Sequence, residues 1–289
     1  MMNNKKDLIK QIGAMGIFGT IGLVRKHLPQ GSGFIALIRG LVGSLFLGLV
    51  SIASGRKFDL AGIKKNWLLL LVSGVLLGAN WVCLFEAYNH TSISVATMCY
   101  YMAPVIVIVV SVVINKERMT FLQYILSFVA LVGMAFVSGV LQDGGADIIG
   151  VLFGLIAAFM YATIVLLNRR IKDIAPMDRT IMQLGISAIT MLPYVVFVER
   201  LPGVAPTWKE AVLLLIAGVV HTGVAYWLYF GSIPNLEAHK VAIMSYIDPV
   251  IAVITSLLIQ RESMTWLSGI GVVLVIGATA SMELVKTKD

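Results

Sequence analysis

The chain alternates long apolar runs with short polar connections. Ten runs are long enough to cross a bilayer as helices, since about 20 apolar residues rising 1.5 Å each match a hydrocarbon core of about 30 Å. They fall at 8–24, 33–53, 67–88, 91–115, 119–141, 148–168, 180–198, 210–233, 238–260 and 264–285. The first, short and glycine-rich, is the weakest. No connection has room for a soluble domain. "LQDGGADI" (Leu141–Ile148) lies near mid-chain and reads as a linker between two halves, 1–141 and 142–289.

One interruption of the apolar pattern stands out. "MSYIDPVIAV" (Met244–Val253) carries an aspartate and a proline inside the ninth run. Pro249 has no N–H to donate and crowds the carbonyl of Ser245, so a kink is expected there. Pro104 does the same in the fourth run. The two prolines belong to a repeat: "YMAPVIVIVVSVVINKERMT" (Tyr101–Thr120) aligns without gaps to "YIDPVIAVITSLLIQRESMT" (Tyr246–Thr265). Tyr101, Pro104, Val105, Ser111, Ile114, Glu117, Met119 and Thr120 meet their own kind there. Ala103 stands opposite Asp248, so the kink does not require the carboxylate. Because each half holds an odd number of runs, five, the second copy enters the membrane inverted. Such repeats are a mark of secondary transporters with a midplane substrate site.

Composition agrees with the pattern. Of 289 residues, 58% are hydrophobic and 13% charged, and the mean hydropathy is +0.92. A soluble domain carries about a quarter charged residues. The net charge of +7 is spread over short connections rather than gathered in one patch, which argues against a nucleic-acid partner. With the N-terminus inside, sixteen basic residues face the cytoplasm: Lys5, Lys6, Lys10, Arg56, Lys57, Lys64, Lys65, Lys116, Arg118, Arg169, Arg170, Lys172, Arg179, Lys240, Lys286 and Lys288. Five, Arg25, Lys26, Arg200, Lys209 and Arg261, face the other side, and Arg39 lies within a run. That bias predicts a multi-pass protein of the cytoplasmic (inner) membrane with both termini cytoplasmic. Cys83 and Cys99 sit in apolar runs and read as small buried hydrophobes. The N-terminal segment lacks a small-residue cleavage site and is expected to be retained.

The sequence also resembles the EamA group of the drug/metabolite transporter superfamily. The carrying residues are Phe18-Gly19, Arg39, "HTSISVATMCYYMAPV" followed by Glu117, and "HKVAIMSYIDPV" followed by Glu262. The resemblance covers the whole chain. It implies an all-α integral membrane fold of ten helices in two inverted five-helix repeats, with spans 1–4 and 6–9 around a central cavity and spans 5 and 10 peripheral. Glu86 and Asp248 stand where many members are apolar or small, so no substrate comes with the resemblance.

Asp248 is the leading candidate. A charged aspartate at mid-helix costs about 2.5–3.5 kcal/mol on insertion scales, so it must face protein or water. Val241, Ser245, Asp248, Ala252 and Ser256 share one small, polar face. The carboxylate then either binds substrate or protons, or is a paired or protonated link between helices. Arg39 and Glu86 are close in depth and form either a structural ion pair or part of the substrate site. His221 lies near the depth of Asp248, as a proton relay or as a neutral hydrogen-bonded imidazole. Asn80 reads as a helix–helix donor or a substrate contact. Trp81, Tyr100, Tyr101, Tyr161, Tyr226, Trp227, Tyr229 and Tyr246 cluster inside the runs rather than at their ends. They pack the core, or offer a cation–π pocket. Glycines 13, 16, 19 and 22, with Gly40, Ser44, Gly48, Gly74 and Gly78, give small faces for close packing.

The expected function is a secondary transporter of a small organic metabolite, an amino acid, amine or other cationic, zwitterionic or aromatic compound. It would work by alternating access, with Asp248, Glu86 and His221 as candidates for proton coupling. A broad drug or toxic-metabolite exporter is the alternative. An intramembrane enzyme finds little support, since His27, His90, His221 and His239 are scattered and no HExxH occurs. Nor does a phosphate-binding loop occur. No cofactor or metal is called for. The partners expected are the substrate, the bilayer and protons, with the chain acting as a monomer or weak homodimer.

Overall fold

A computed structural model describes all residues except 1, 26, 92–95, 97–98, 114–115, 117–118, 139–146, 201–204, 256–257, 260–264 and 285–289. The matched pair Glu117 and Glu262, Ser256 and most of the mid-chain linker lie outside the described residues.

Among the described residues, the apolar runs are largely helical. In chain order the α-helices are α1 (Met2–Gly19), α2 (Ile21–Arg25), α3 (Ser32–Ala53), α4 (Leu60–Lys65), α5 (Trp67–His90), α6 (Ala103–Val113) and α7 (Phe121–Ser138). They continue as α8 (Ile148–Arg170), α9 (Pro176–Tyr194), α10 (Trp208–Gly218), α11 (Ala225–Ser232), α12 (Ala238–Met244), α13 (Ile247–Thr255) and α14 (Trp266–Leu284). Among the described residues, six segments are long and apolar enough to cross a membrane: Lys5–Arg25, Ser32–Ala53, Trp67–His90, Ile148–Arg170, Pro176–Glu199 and Trp208–Asn235. Ala103–Val113, Phe121–Phe136 and Gly269–Ala278 are shorter apolar helices. No strand occurs among the described residues.

Local chemistry sets the helix ends. The Asp147 side chain accepts from Ile149 N (2.8 Å) and starts α8. Thr207 and Glu210 form a reciprocal capping box on α10. The start of α3 is capped from a distance: the Glu199 carboxylate accepts from Gly33 N (3.1 Å) and Phe34 N (2.7 Å). That charge sits where the helix dipole is positive.

Several runs are interrupted rather than continuous. Span 1 breaks at Thr20, whose Oγ1 donates to Ile17 O (2.8 Å). The run 210–233 contains a widened π-helical turn, Val219–Val224. The ninth run stops at Ser245–Tyr246 and restarts as α13, with Pro249 in its first turn; the fourth run does the same at Tyr101–Met102 before Pro104. The expected kinks are thus breaks, because a new helix start is where a missing N–H costs nothing.

The helices pack in a pattern with internal symmetry. α1 lies against α11 and α13, while α8 lies against α5 and α6. α3 meets α9 and α10, α9 meets α5, α6 meets α12, and α7 meets α14. Exchanging first-half helices for their second-half counterparts returns the same set of neighbours. Polar side chains tie neighbouring helices: buried Asn80 Nδ2 donates to Ala157 O (2.6 Å) and half-buried Ser44 Oγ to Ile181 O (3.0 Å).

The glycines divide sharply. A methyl at Gly19 would lie 2.5 Å from Asp248 O, and one at Gly78 would lie 2.7 Å from Ser187 O. Gly74 is similarly pressed on Ile186, and Gly40 is in ordinary contact. Gly13, Gly16, Gly22 and Gly48 meet nothing within 4 Å. The expected small face therefore narrows to a few true contacts, since in lipid a small residue need not face protein.

Candidate functional site

Where the broken helices meet, they enclose a cavity of about 250 Å³. Asp248 enters it from the first turn of α13, just beyond the break at Tyr246. α1 contributes Met15 and Phe18, α3 contributes Arg39, and α5 contributes Leu84 and Tyr88. Tyr100, Tyr101 and Pro104 come from the matching break, with Tyr161, Tyr226 and Ser245 completing most of the wall.

The two charges in this wall are held differently. Tyr101 and Asp248 line the same cavity, and the Tyr246 hydroxyl donates to the Tyr101 backbone carbonyl (3.2 Å), so the two repeat-matched tyrosines are tied together at its wall. Arg39 Nε donates to Thr222 Oγ1 (3.0 Å), and its guanidinium carbon lies 5.8 Å from the centroid of the Trp81 ring. Thr222 is in turn fixed by donating to Ala217 O (2.9 Å), five residues back through the π-helical turn. Arg39 and Asp248 attract each other, yet no nitrogen–oxygen approach within 4.0 Å joins them. Two opposite charges face one cavity and leave a gap between them.

The aromatic floor is continuous. Phe18 and Tyr226 have ring centroids 5.0 Å apart, Tyr100 and Tyr161 5.6 Å apart. Below them the Tyr161 hydroxyl donates to the Tyr229 hydroxyl (2.6 Å). Further along α1, away from the cavity, a polar clasp joins it to the end of α11 and the residues after it. Ser232 Oγ donates to Gln11 Oε1 (2.6 Å) and Asn235 Nδ2 to Asp7 Oδ2 (2.9 Å).

Among the residues singled out from sequence, Asp248, Arg39, Tyr100, Tyr101, Tyr226 and Pro104 line the cavity. Tyr246, Trp81 and Asn80 stand behind it, each touching a wall residue: Asn80 Oδ1 is 3.5 Å from the Tyr100 hydroxyl. Pro249 is buried beside Asp248. His221 lies outside the lining, its Nε2 3.1 Å from Thr20 Oγ1. Trp227 is 39% exposed and does not line this cavity. The expected Arg39–Glu86 ion pair does not form. Glu86 accepts from the Tyr194 hydroxyl (2.7 Å) and sits 3.9 Å from His90 Nε2, while Arg39 turns inward to Thr222. Depth placed them together, but helix rotation separates them. Thr222, Tyr88 and Met15 carried no sequence signal, being ordinary residues within apolar runs.

Apolar helices closing around a small, charge-lined cavity define a membrane transport protein. The chain belongs to the EamA-like transporter family of the drug/metabolite transporter superfamily, whose model matches residues 8–139 and 148–283. It is 29% identical over 252 residues to the uncharacterized transporter YxxF of Bacillus subtilis, covering 86% of this chain and 79% of that one. An uncharacterized transporter of Vibrio cholerae is 25% identical over 273 residues, covering 90% and 86%. A solved crystal structure shares the fold with a TM-score of 0.84 at 17% identity, covering 96% of this chain and 97% of that one.

Proposed function

We propose that the protein carries a small zwitterionic or cationic metabolite, such as an amino acid or amine, across the cytoplasmic membrane by alternating access. The observation that carries this reading is the pair Asp248 and Arg39, facing one cavity without touching. Each buried charge is costly without a partner. A zwitterion of matching length satisfies both, its ammonium at Asp248 and its carboxylate at the guanidinium. Tyr100, Tyr101 and Tyr226 add ring faces suited to a cation.

The cavity of about 250 Å³ lies near the lower end of the roughly 300–1,000 Å³ of drug-sized sites, which fits a small metabolite. The broad drug exporter, which the same aromatic wall would serve, is the second reading. Transport is also favoured over catalysis by the family and its relatives' names.

The exchange symmetry of helix contacts supports two repeats, 1–141 and 142–289, acting as inverted halves. The Asp7–Asn235 and Gln11–Ser232 clasp then closes one side while the cavity opens to the other. The charge bias supports cytoplasmic termini and places the clasp on the cytoplasmic side. Of the three candidates for proton coupling, only Asp248 lines the cavity, so coupling is assigned there rather than to Glu86 or His221.

Reconstituted protein tests this directly. Uptake of amino acids and amines into proteoliposomes should saturate, and Asp248→Asn should abolish both uptake and its pH dependence. Unchanged pH-dependent transport by that variant removes the coupling role. A thermal-shift screen with many weak stabilisers and no strong one would instead favour the broad exporter.

A further inference from the structure

One turn in the run 210–233 is built unlike its neighbours. The π-helical turn Val219–Val224 adds a residue to the helical register between α10 and α11. Its effect shows in the threonines. Thr163, Thr180 and Thr190 donate their hydroxyl hydrogens four residues back, to the carbonyls of Phe159, Pro176 and Ile186. Thr222 donates five residues back, to Ala217 O (2.9 Å). A threonine hydroxyl carries a single hydrogen. With that hydrogen spent on Ala217, Thr222 Oγ1 can only accept in its other direction, and there it takes the Nε–H of Arg39 (3.0 Å).

The turn is seated directly against the helix that carries Arg39. Gly43 lies one turn beyond Arg39 in α3, and a methyl there would lie 3.0 Å from both Gly218 O and Gly223 N. A methyl at Gly218 would strike the Val42 side chain, and one at Gly223 would lie 3.1 Å from the Phe46 ring. Glycine at these positions lets α3 and the turn approach backbone to backbone. On its other flank the turn meets the break in span 1, where His221 Nε2 lies 3.1 Å from Thr20 Oγ1. Thr222 itself is fully buried.

This seat fixes the direction of the guanidinium. Held at Nε, Arg39 keeps its two terminal nitrogens uncommitted, for neither has a hydrogen-bond partner among the described residues. Side-by-side donors of this kind match the two oxygens of a carboxylate. An ammonium gains nothing from them, since a guanidinium has no acceptor. Given the carrier function proposed above, on which this rests, we infer that Thr222 is a positioning residue that makes the site select carboxylate-bearing ligands over the matching simple amines. The substrate class narrows accordingly to amino acids and related zwitterions, with Asp248 taking the ammonium and Arg39 the carboxylate.

The test uses full-length protein in detergent, titrated by thermal shift with the standard amino acids and with the amine left when each loses its carboxylate. Native protein should bind the best amino acid roughly tenfold or more tightly than its amine. Thr222→Val keeps the branched shape but loses the acceptor, and should weaken the amino acid roughly tenfold while leaving the amine unchanged. Thr222→Ser keeps the hydroxyl and should restore the preference. A merely structural role would lower the unfolding temperature of Thr222→Val and weaken both ligands alike. Gly43→Ala presses the turn away from α3 with Thr222 in place; it should reduce the preference by a smaller factor, and serves if Thr222→Val misfolds. An unchanged preference in these variants, or equal losses for acid and amine, would overturn the positioning role and leave the carrier function standing. Native protein that binds amines as tightly as amino acids would overturn it in favour of a cationic substrate. Native protein that responds to neither class would overturn the carrier function and this inference together.

Discussion

Adding one methyl group to α1 at Gly19 should disturb the transport cavity, whereas the same addition one turn earlier should not. A β-carbon at position 19 would lie 2.5 Å from the Asp248 carbonyl oxygen and 2.6 and 2.9 Å from Cβ and Cγ2 of Ile251. Ordinary carbon contacts are about 3.5–4.0 Å, so α1 and α13 would have to separate by roughly 1 Å. Overpacking of this kind costs about 1–3 kcal/mol. At Gly16 no heavy atom lies within 4 Å, and replacing glycine by alanine within a helix gains about 0.5–1 kcal/mol. Gly19→Ala should therefore lower the unfolding temperature in detergent, and Gly16→Ala should raise it or leave it unchanged. Because the displaced backbone belongs to Asp248, ligand stabilisation should also weaken in Gly19→Ala alone. Equal shifts for the two variants would refute the assigned contact between α1 and α13. So would a Gly19→Ala protein with native stability and ligand response.

Arg39→Lys keeps the charge but loses the planar fork held by Thr222. It should weaken carboxylate-bearing ligands about tenfold more than simple amines, and equal losses in a thermal-shift titration would dismiss the zwitterion geometry. Glu199→Gln removes the remote anionic cap on α3 and should cost about 0.5–2 kcal/mol, read as a lowered unfolding temperature with substrate specificity intact. Lys65 Nζ donates to Asp173 (2.6 Å) and keeps its carboxyl below the ordinary range, which contributes stability above its unfolded value that is lost as pH falls through its folded one. Being fully exposed, it contributes little. Lys65→Ala should return that carboxyl upward toward 3.8, measurable by NMR of labelled protein, and an unmoved titration would deny the Lys65 contact.

The amino-acid pattern by itself marked the apolar helical segments, because hydrocarbon thickness imposes a length that composition must meet; of the ten spans expected, six reach membrane length among the described residues. It also marked Pro104 and Pro249 as points where the helices are disturbed, as kinks rather than the breaks observed, and it required that Asp248 face something polar. Helix rotation was not legible. Lipid and protein neighbours are both apolar, so a membrane helix carries only a weak record of which face turns inward. Hence Trp227 reads like Tyr226, yet only Tyr226 reaches the cavity, and Gly16 reads like Gly19, yet only Gly19 is pressed on a neighbour. The partners of the charges were equally hidden. Arg39 finds Thr222 across 183 residues, and Glu199 reaches Gly33 across 166. Sequence restricts which residues can sit at which depth. Only the packing of one half on the other decides which of them share a cavity.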